Sequence, residues 1–278
     1  MSISFGTLAC PDWTLQEVIR AAQRYGYDGI ELRGAGRQHI SPEFSAEERR
    51  DVRLRFEDAG LQIVAVTAYT RFATLDPAKM QEQVDTLKAY VDLAAEIGAP
   101  VVRTFGGQYE VESDEERERL YDAMAAGLRQ VGEYAAPTGV KIVLETHDAF
   151  SLGAVSGDIL RRVDHPSVGA LWDIMHPFRF GESPEETYSY LKGKVFHTHI
   201  KDGVLRPEKG PGGHELCLPG DGDVPIKEIV RILLADGYAG SWCLEYEKTW
   251  YPELPDTELA LERYASLLRE ILAELNAS

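Results

Sequence analysis

Residues 168–202 read VGALWDIMHPFRFGESPEETYSYLKGKVFHTHIKD, and this stretch contains the repeating unit of the chain. Its first part, Val168 to Asp173, is an apolar run with the length of a buried strand. A segment with helical periodicity follows at Pro184 to Leu191, and a second strand-like run spans Val195 to Lys201. Strand, helix and strand in this order predict a βα unit of a parallel sheet.

The same alternation continues in both directions along the chain. Eight runs have strand character: Ile3 to Ala9, Gly29 to Arg33, Gln62 to Ala68, Val101 to Phe105, Lys141 to Thr146, Val168 to Asp173, Val195 to Lys201 and Ser241 to Glu247. Eight segments have helical periodicity: Thr14 to Tyr25, Ala46 to Ala59, Ala78 to Ile97, Glu115 to Ala136, Gly157 to Val163, Pro184 to Leu191, Ile226 to Ala235 and Thr257 to Glu274. Such repeats form an open doubly wound sheet or a closed barrel. Because no GxGxxG follows the first strand, the pattern favours an α/β fold with a single (β/α)8 barrel, the TIM barrel.

Composition narrows the domain organisation and the partners. No Ser/Gly-rich linker divides the chain, so we expect one domain over residues 1–278. The 46 acidic and 29 basic side chains leave a formal charge of -17, which disfavours nucleic acid and anionic membrane surfaces. No apolar run is long enough to cross a bilayer, and the N-terminus lacks a signal-peptide pattern. Since Cys10, Cys217 and Cys243 form no CxxC pair, we expect a reduced, cytoplasmic location.

Acidic residues and histidines stand at the ends of the last four predicted strands. In a TIM barrel the active site lies at the carboxyl ends of the strands. Side chains two apart on a strand point the same way, so several of these groups face the barrel interior together. They are Glu145 and His147, Asp173 and His176, His197, His199 and Lys201, and Glu245 and Glu247.

Charged groups that converge inside a barrel are costly unless they are paired or bind a metal. We select Glu145, Asp173, His199 and Glu245 as the metal ligands, one from each strand end. Three carboxylates and one imidazole form an oxygen-rich set, which suits one Mn²⁺ or Mg²⁺ per chain, with Zn²⁺ or Co²⁺ as further options. The alternative is a set of strand-end polar groups that only bond one another.

The motifs resemble those of the xylose isomerase-like TIM barrel family. This family includes sugar phosphate isomerases/epimerases, tagatose-type ketose epimerases, hydroxypyruvate isomerase, inosose dehydratase and endonuclease IV. The resemblance spans nearly the whole chain. Its marks are YDGIELR at 27–33, LETH at 144–147, WDxxH at 172–176, HIKD at 199–202, PGDGDVP at 219–225 and GYAGSWCLEYE at 237–247.

Carried over by position, the resemblance implies the same four metal ligands. It also implies that Glu145 and Glu245 exchange a substrate proton from two faces, and that His176 binds substrate. Ketose epimerases have an arginine six residues after the histidine ligand, where this chain has Leu205 followed by Arg206. Lys201 instead resembles the inosose dehydratase and uncharacterised branches, where a lysine follows the histidine ligand by two residues.

Other residues near the predicted site are further candidates. Glu31 and Arg33 either contact substrate hydroxyls or form an ion pair at the barrel mouth. His147, His197 and Glu247 either bind a second metal or support the first. The segment 202–224 is a lid or a surface loop, and Trp250 packs on a sugar face or closes the rim. The expected substrate-binding set is His176, Lys201, Arg206, His147, Glu31, Arg33 and Trp250.

Four functions fit this pattern. The leading hypothesis is a metal-dependent isomerase or epimerase that acts on a ketose, inosose or related small sugar-like carbonyl compound through an enediolate. A dehydratase or lyase with the same metal site is the closest rival. An apurinic-site endonuclease and a non-catalytic sugar-binding barrel are more distant. Barrels of this type often dimerise, so a homodimer is an assembly open to this chain.

Overall fold

The computed structural model describes residues 2–34 and 39–276 of the chain. Strands β1 to β10 are, in chain order, Ser2–Gly6, Gly29–Arg33, Gln62–Arg71, Val101–Phe105, Lys141–Glu145, Val168–Asp173, Val195–Ile200, Asp202–Leu205, His214–Cys217 and Ser241–Leu244. Helices α1 to α9 are Leu15–Tyr25, Ala46–Ala59, Pro77–Ile97, Asp114–Ala135, Gly153–Val163, Met175–Arg179, Pro184–Leu191, Ile226–Ala235 and Thr257–Asn276.

Eight of the strands form a closed parallel barrel in the order β1, β10, β7, β6, β5, β4, β3, β2. Closure is made by β1, which pairs with β10 on one side and with β2 on the other. Helices surround the barrel, so the predicted TIM barrel is confirmed. Strands β5 and β10 are separated on one side by β6 and β7, which places their ends across the mouth from each other. Within the described residues, no helix combines the length and apolarity of a membrane span.

Local sequence fixes where the helices begin and end. The Thr14 side chain accepts a hydrogen bond from the backbone of Glu17, whose carboxylate accepts one from the backbone of Thr14. This capping box satisfies two amides that the first turn leaves without partners. At its other end α1 stops at Gly26, whose φ of 72° lies in the left-handed region that glycine adopts without strain.

The barrel interior has an apolar lower part and a polar upper part. Five buried residues form the lower cluster, namely Val64, Ala65, Val101, Val143 and Leu171. Each strand carries its next inward side chain two residues later, so Val143 is followed by Glu145 and Leu171 by Asp173. Apolar packing below therefore holds acidic side chains at fixed depth in the mouth.

Two elements at the mouth differ from the sequence prediction. The short helix α6 follows β6 after one residue, and its five residues are too few to show helical periodicity. The predicted loop 202–224 contains the antiparallel hairpin β8–β9. Asp202 fixes the end of this segment, because its carboxylate accepts hydrogen bonds from the backbone of Gly203, Gly220, Gly222 and Val224.

Candidate active site

The four predicted metal ligands lie together at the mouth of the barrel. One donor atom from each of Glu145, Asp173, His199 and Glu245 lies within 4.8 Å of every other. Glu145, Asp173 and His199 are completely buried, and Glu245 is 8% exposed. Glu145 Oε2 and Asp173 Oδ2 are buried, and each contacts a cationic side chain, Arg103 Nε at 3.3 Å and Lys201 Nζ at 2.8 Å. A compact set of buried carboxylate oxygens with one imidazole fits a divalent cation.

The two ring nitrogens of His199 face different partners. Nδ1 lies 3.3 Å from Glu145 Oε1 and 3.2 Å from Glu245 Oε1, so it faces the other ligands. Nε2 lies 3.0 Å from Glu31 Oε2, and this carboxylate also meets His197 Nε2 at 3.0 Å. A metal-binding histidine commonly donates its second N–H to a carboxylate, which fixes the tautomer of the ring. The contacts therefore turn Nδ1 of His199 toward the other predicted ligands and Nε2 toward Glu31.

Glu31 lies deeper in the barrel than the sequence predicted. It is 3% exposed, and its partners are the two imidazoles. These protonatable partners hold the pKa of Glu31 below its usual range, although burial alone opposes ionisation. Glu31 is therefore placed to orient the imidazole of His199, one of the predicted ligands.

Lys201 brings a cation into the ligand cluster. Its ammonium lies 2.8 Å from Asp173 Oδ2, 2.6 Å from Glu245 Oε2 and 2.6 Å from Glu247 Oε1. Burial disfavours its charge, but these carboxylates raise the pKa of Lys201 well above its ordinary value. Two of the four predicted ligands thus share their oxygens with a permanent protein cation.

The carboxylates of the cluster differ in their readiness to ionise. Burial, with the neighbouring carboxylates, raises the pKa of Asp173 to about 7 despite the nearby Lys201. Burial also opposes ionisation of Glu145, yet Arg103 and His199 hold the pKa of Glu145 below its ordinary value. Asp173 and Glu145 are therefore shifted in opposite directions within one cluster.

Arg103 is a site residue that the sequence reasoning missed. It is 2% exposed, and its Nε lies 3.3 Å from Glu145 Oε2. Its guanidinium lies 3.8 Å from the ring centroid of Phe105 and 4.9 Å from that of Tyr69. The available signal was a charged residue in the middle of the apolar strand VVRTF, where an unpaired charge is not tolerated.

Two histidines line one wall of the site. The rings of His147 and His176 lie 4.6 Å apart, and Phe105 packs on His147 at the same distance. Both ring nitrogens of His176 are buried and have no hydrogen-bond partner in the described chain. Burial, with the nearby Lys201, lowers the pKa of His176, so the ring is neutral and has one donor and one acceptor for a ligand.

The remaining predicted residues lie at the rim. Arg33 donates to the Tyr69 hydroxyl at 2.8 Å, and its guanidinium lies 5.1 Å from the ring centroid of Trp250, which is 54% exposed. Arg206 is on the hairpin, where its guanidinium pairs with Glu215 at 3.0 Å. Arg33 and Trp250 therefore belong to one aromatic and cationic rim, whereas Arg206 is engaged within the hairpin.

The second-metal set considered from the sequence is divided in the structure. His147 groups with Glu145 and His176, whereas His197 groups with Glu31, His199 and Cys243. Glu247 instead contacts Lys201. Among the described residues, the four-ligand set is the cluster that combines three carboxylates with an imidazole.

Relatives of this chain divide between epimerases and dehydratases. It is 26% identical over 271 residues to fructoselysine 3-epimerase from Escherichia coli O157:H7, covering 92% of this chain and 94% of that protein. It is 24% identical to 3-dehydroshikimate dehydratase from Pseudomonas putida, covering 92% of this chain and 39% of that protein. It is 23% identical to inosose dehydratase from Clostridium botulinum, covering 84% and 83%.

Solved structures share the fold over the whole chain. A D-tagatose 3-epimerase-like protein matches with a TM-score of 0.80 at 19% identity, covering 100% of this chain and 99% of that one. The IOLI protein with bound zinc matches with a TM-score of 0.81 at 19% identity, covering 99% of each. A barrel from Mycobacterium smegmatis in complex with magnesium matches with a TM-score of 0.75 at 18% identity, covering 99% and 97%. Residues 19–271 match the model of the xylose isomerase-like TIM barrels, and the chain belongs to that family.

Proposed function

We propose that this chain is a metal-dependent isomerase or epimerase of a ketose, inosose or related polyhydroxy carbonyl compound. The observation that carries the proposal is the arrangement of Glu145 and Glu245. Both carboxylates are within 3.3 Å of His199 Nδ1, yet they come from strands on opposite sides of the barrel mouth. Two bases that reach one point from two sides are what proton exchange on two faces of a carbon requires.

The residues proposed to hold the metal are Glu145, Asp173, His199 and Glu245. A divalent ion bound there supplies a Lewis acid that polarises the substrate carbonyl and makes the adjacent C–H more acidic. The oxygen-rich ligands favour Mn²⁺ or Mg²⁺. Fold relatives with zinc and with magnesium keep both ions among those to be tested.

The protein groups then account for the proton movements. One glutamate, Glu145 or Glu245, removes the proton from the carbon next to the carbonyl, and the electron pair of the C–H bond moves into an enediolate. The other glutamate, after it has taken a proton from solvent or from a substrate hydroxyl, delivers this proton to the opposite face and gives the epimer, and the first glutamate then releases its proton to solvent. His176 is neutral and unpartnered, so it can hold a substrate hydroxyl in register. Glu145, Glu245 and His176 are themselves buried, so little bulk water competes for them.

Lys201 favours dehydration as the second candidate. The same enediolate can expel a hydroxyl from the next carbon, and this leaving group needs a proton. Lys201 presents a buried ammonium beside Glu245, on the same side of the cluster as Asp173. Two of the relatives described above are dehydratases, which supports this alternative.

Turnover in heavy water distinguishes the candidates. The protein is loaded with Mn²⁺ and offered a panel of ketoses, inososes and keto-polyol acids in D₂O. Epimerase or isomerase activity gives a product with solvent deuterium at the carbon next to the carbonyl, whereas dehydratase activity gives an unsaturated ketone with ultraviolet absorbance. Product without solvent deuterium would contradict proton transfer and indicate a hydride shift. Tight binding without turnover of any compound would indicate a sugar-binding barrel.

A further inference from the structure

Arg179 stands beside the proposed site. It ends α6, the short helix whose first turn is bonded to Asp173 through the backbone of Met175 and His176. Its Nη1 lies 3.1 Å from Nδ1 of His214 on β9. The charges of Asp173 and Glu247 influence the pKa of Arg179, and those of Lys201 and Glu247 influence the pKa of His214. Arg179 and His214 therefore form a pair between α6 and the hairpin, at the end of the barrel where β6 ends with Asp173.

The guanidinium of Arg179 lacks a close counterion. It is half-buried, and within residues 2–34 and 39–276 it forms no ion pair with a carboxylate. Its Nε is buried and has no hydrogen-bond partner in that part of the chain. Burial lowers the pKa of Arg179, so the distant carboxylates do not offset the cost of burying its charge. The buried cation Lys201, by contrast, meets three carboxylates.

The partner of Arg179 does not complete its hydrogen bonding. His214 Nδ1 lies 3.0 Å from the carbonyl oxygen of Gly212 as well as 3.1 Å from Arg179 Nη1. One nitrogen cannot donate to the carbonyl and accept from the arginine at the same time. If it donates to Gly212, Arg179 loses its acceptor, and if it accepts from Arg179, the Nε2–H of His214 becomes a further donor. In both cases the pair has spare donors.

We propose that Arg179 and His214 bind an oxyanion of the substrate, a carboxylate or a phosphate, so that the substrate is an anionic polyhydroxy carbonyl compound. The inference rests on the proposed function, because it concerns the substrate of that site. The planar fork of arginine matches the geometry of carboxylate and phosphate oxygens. In a chain of net charge -17, an arginine without a counterion at the mouth is a specific attraction for an anion that the whole molecule repels.

The PGDGDVP loop does not compete for this role. Its Gly220 and Gly222 amides donate to the Asp202 carboxylate at 2.8 and 3.0 Å, so neither is available to a phosphate. The acidic side chains of the same loop would also repel an anion. These loop amides are therefore not the donors of the proposed oxyanion site.

Calorimetric binding to the Mn²⁺-loaded protein tests the proposal without requiring turnover. The probes are D-tagatose, D-tagatose 6-phosphate and 3-dehydroshikimate. We expect at least one anionic probe to bind at least about 10-fold more tightly than D-tagatose, and the preferred one identifies the oxyanion. Arg179→Gln should weaken the binding of that probe by about 10- to 100-fold, because it removes a charge-assisted hydrogen bond to the oxyanion. The affinity for uncharged D-tagatose should stay the same. Arg179→Lys should retain part of the preference.

Lys209→Gln is the matched control. Lys209 lies on the same hairpin, but its ammonium already pairs with Glu215 at 2.8 Å. Lys209→Gln therefore removes one positive charge from the hairpin and leaves Arg179 and His214 in place. Metal content and thermal unfolding show whether each variant is folded and loaded. The proposal is overturned if neither anionic probe binds more tightly than D-tagatose, or if Arg179→Gln and Lys209→Gln have the same effect. Absence of deuterium exchange with an intact anion preference would instead overturn the proposed reaction alone.

Discussion

Replacement of Glu31 by glutamine should weaken metal binding without touching a metal ligand. In the structure the Glu31 carboxylate accepts from His199 Nε2 at 3.0 and 3.1 Å, while Nδ1 of the same ring faces Glu145 and Glu245. Glutamine keeps the size of the side chain and one oxygen acceptor, but it removes the negative charge. The imidazole then becomes less basic and less firmly oriented.

The expected magnitude follows from this contact. Loss of a carboxylate that orients a histidine ligand typically costs about 10- to 100-fold in metal affinity. This corresponds to about 1.4 to 2.7 kcal/mol of binding free energy. Because Glu31 is 3% exposed, solvent does not compensate for the lost negative charge.

Competition with a fluorescent chelator measures the affinity for Mn²⁺ and Zn²⁺. The visible spectrum of the Co²⁺-loaded protein reports whether the ligand arrangement has changed. Glu110→Gln, at an exposed position, is the control for the change in charge. Equal affinities and equal spectra for the wild type and Glu31→Gln would refute the role assigned to Glu31.

Three further substitutions test other parts of the structure. Lys201→Met should retain metal at least as well as the wild type, because the lysine ammonium occupies oxygens of two predicted ligands. It should lose turnover, because Lys201 belongs to the expected substrate-binding set. Loss of the metal in elemental analysis would contradict the first expectation. In metal-free protein the pKa of Asp173 is raised from its ordinary value of 3.8 to about 7. Between these two values the folded state keeps a proton on Asp173 that the unfolded state has lost. The free energy of unfolding therefore falls as pH rises from about 4 to about 7. Metal-free Asp173→Asn should therefore unfold at a higher temperature than metal-free wild type at pH 8, and an equal or lower temperature would refute the assignment. Gly222→Ala should lower the free energy of unfolding by about 1 to 3 kcal/mol, because a Cβ there would lie 2.2 Å from Asp202 Oδ1. If the variant and the wild type unfold at the same denaturant concentration, the loop around Gly222 is not held rigidly by Asp202.

The sequence predicts the barrel well because each strand is a short apolar run between turn residues. The structure has the predicted bounds for Gly29–Arg33, Val101–Phe105 and Val168–Asp173. Strand β10 is shorter than predicted and ends at Leu244, although Glu245 still bonds to β7 through its backbone. Alternation along the strands was sufficient to bring four acidic and imidazole groups from separate strand ends to one point.

Contacts between distant strands could not be predicted in the same way. Arg103 and Glu145 are 42 residues apart, and only the closed barrel shows that their side chains meet. The depth of Glu31 depends on the stagger of neighbouring strands, which includes an irregularity between Ile30 and Glu31. The pair of Arg179 and His214 depends on a helix and a hairpin that periodicity does not predict.

Anomalous diffraction from crystals of the Mn²⁺-loaded protein tests the proposed metal site most directly. We predict a single manganese peak bonded to Glu145, Asp173, Glu245 and Nδ1 of His199, with Nε2 of His199 still on Glu31. Absence of a peak at saturating Mn²⁺, or a peak held by the Glu145, His147 and His176 group instead, would contradict the account of this site.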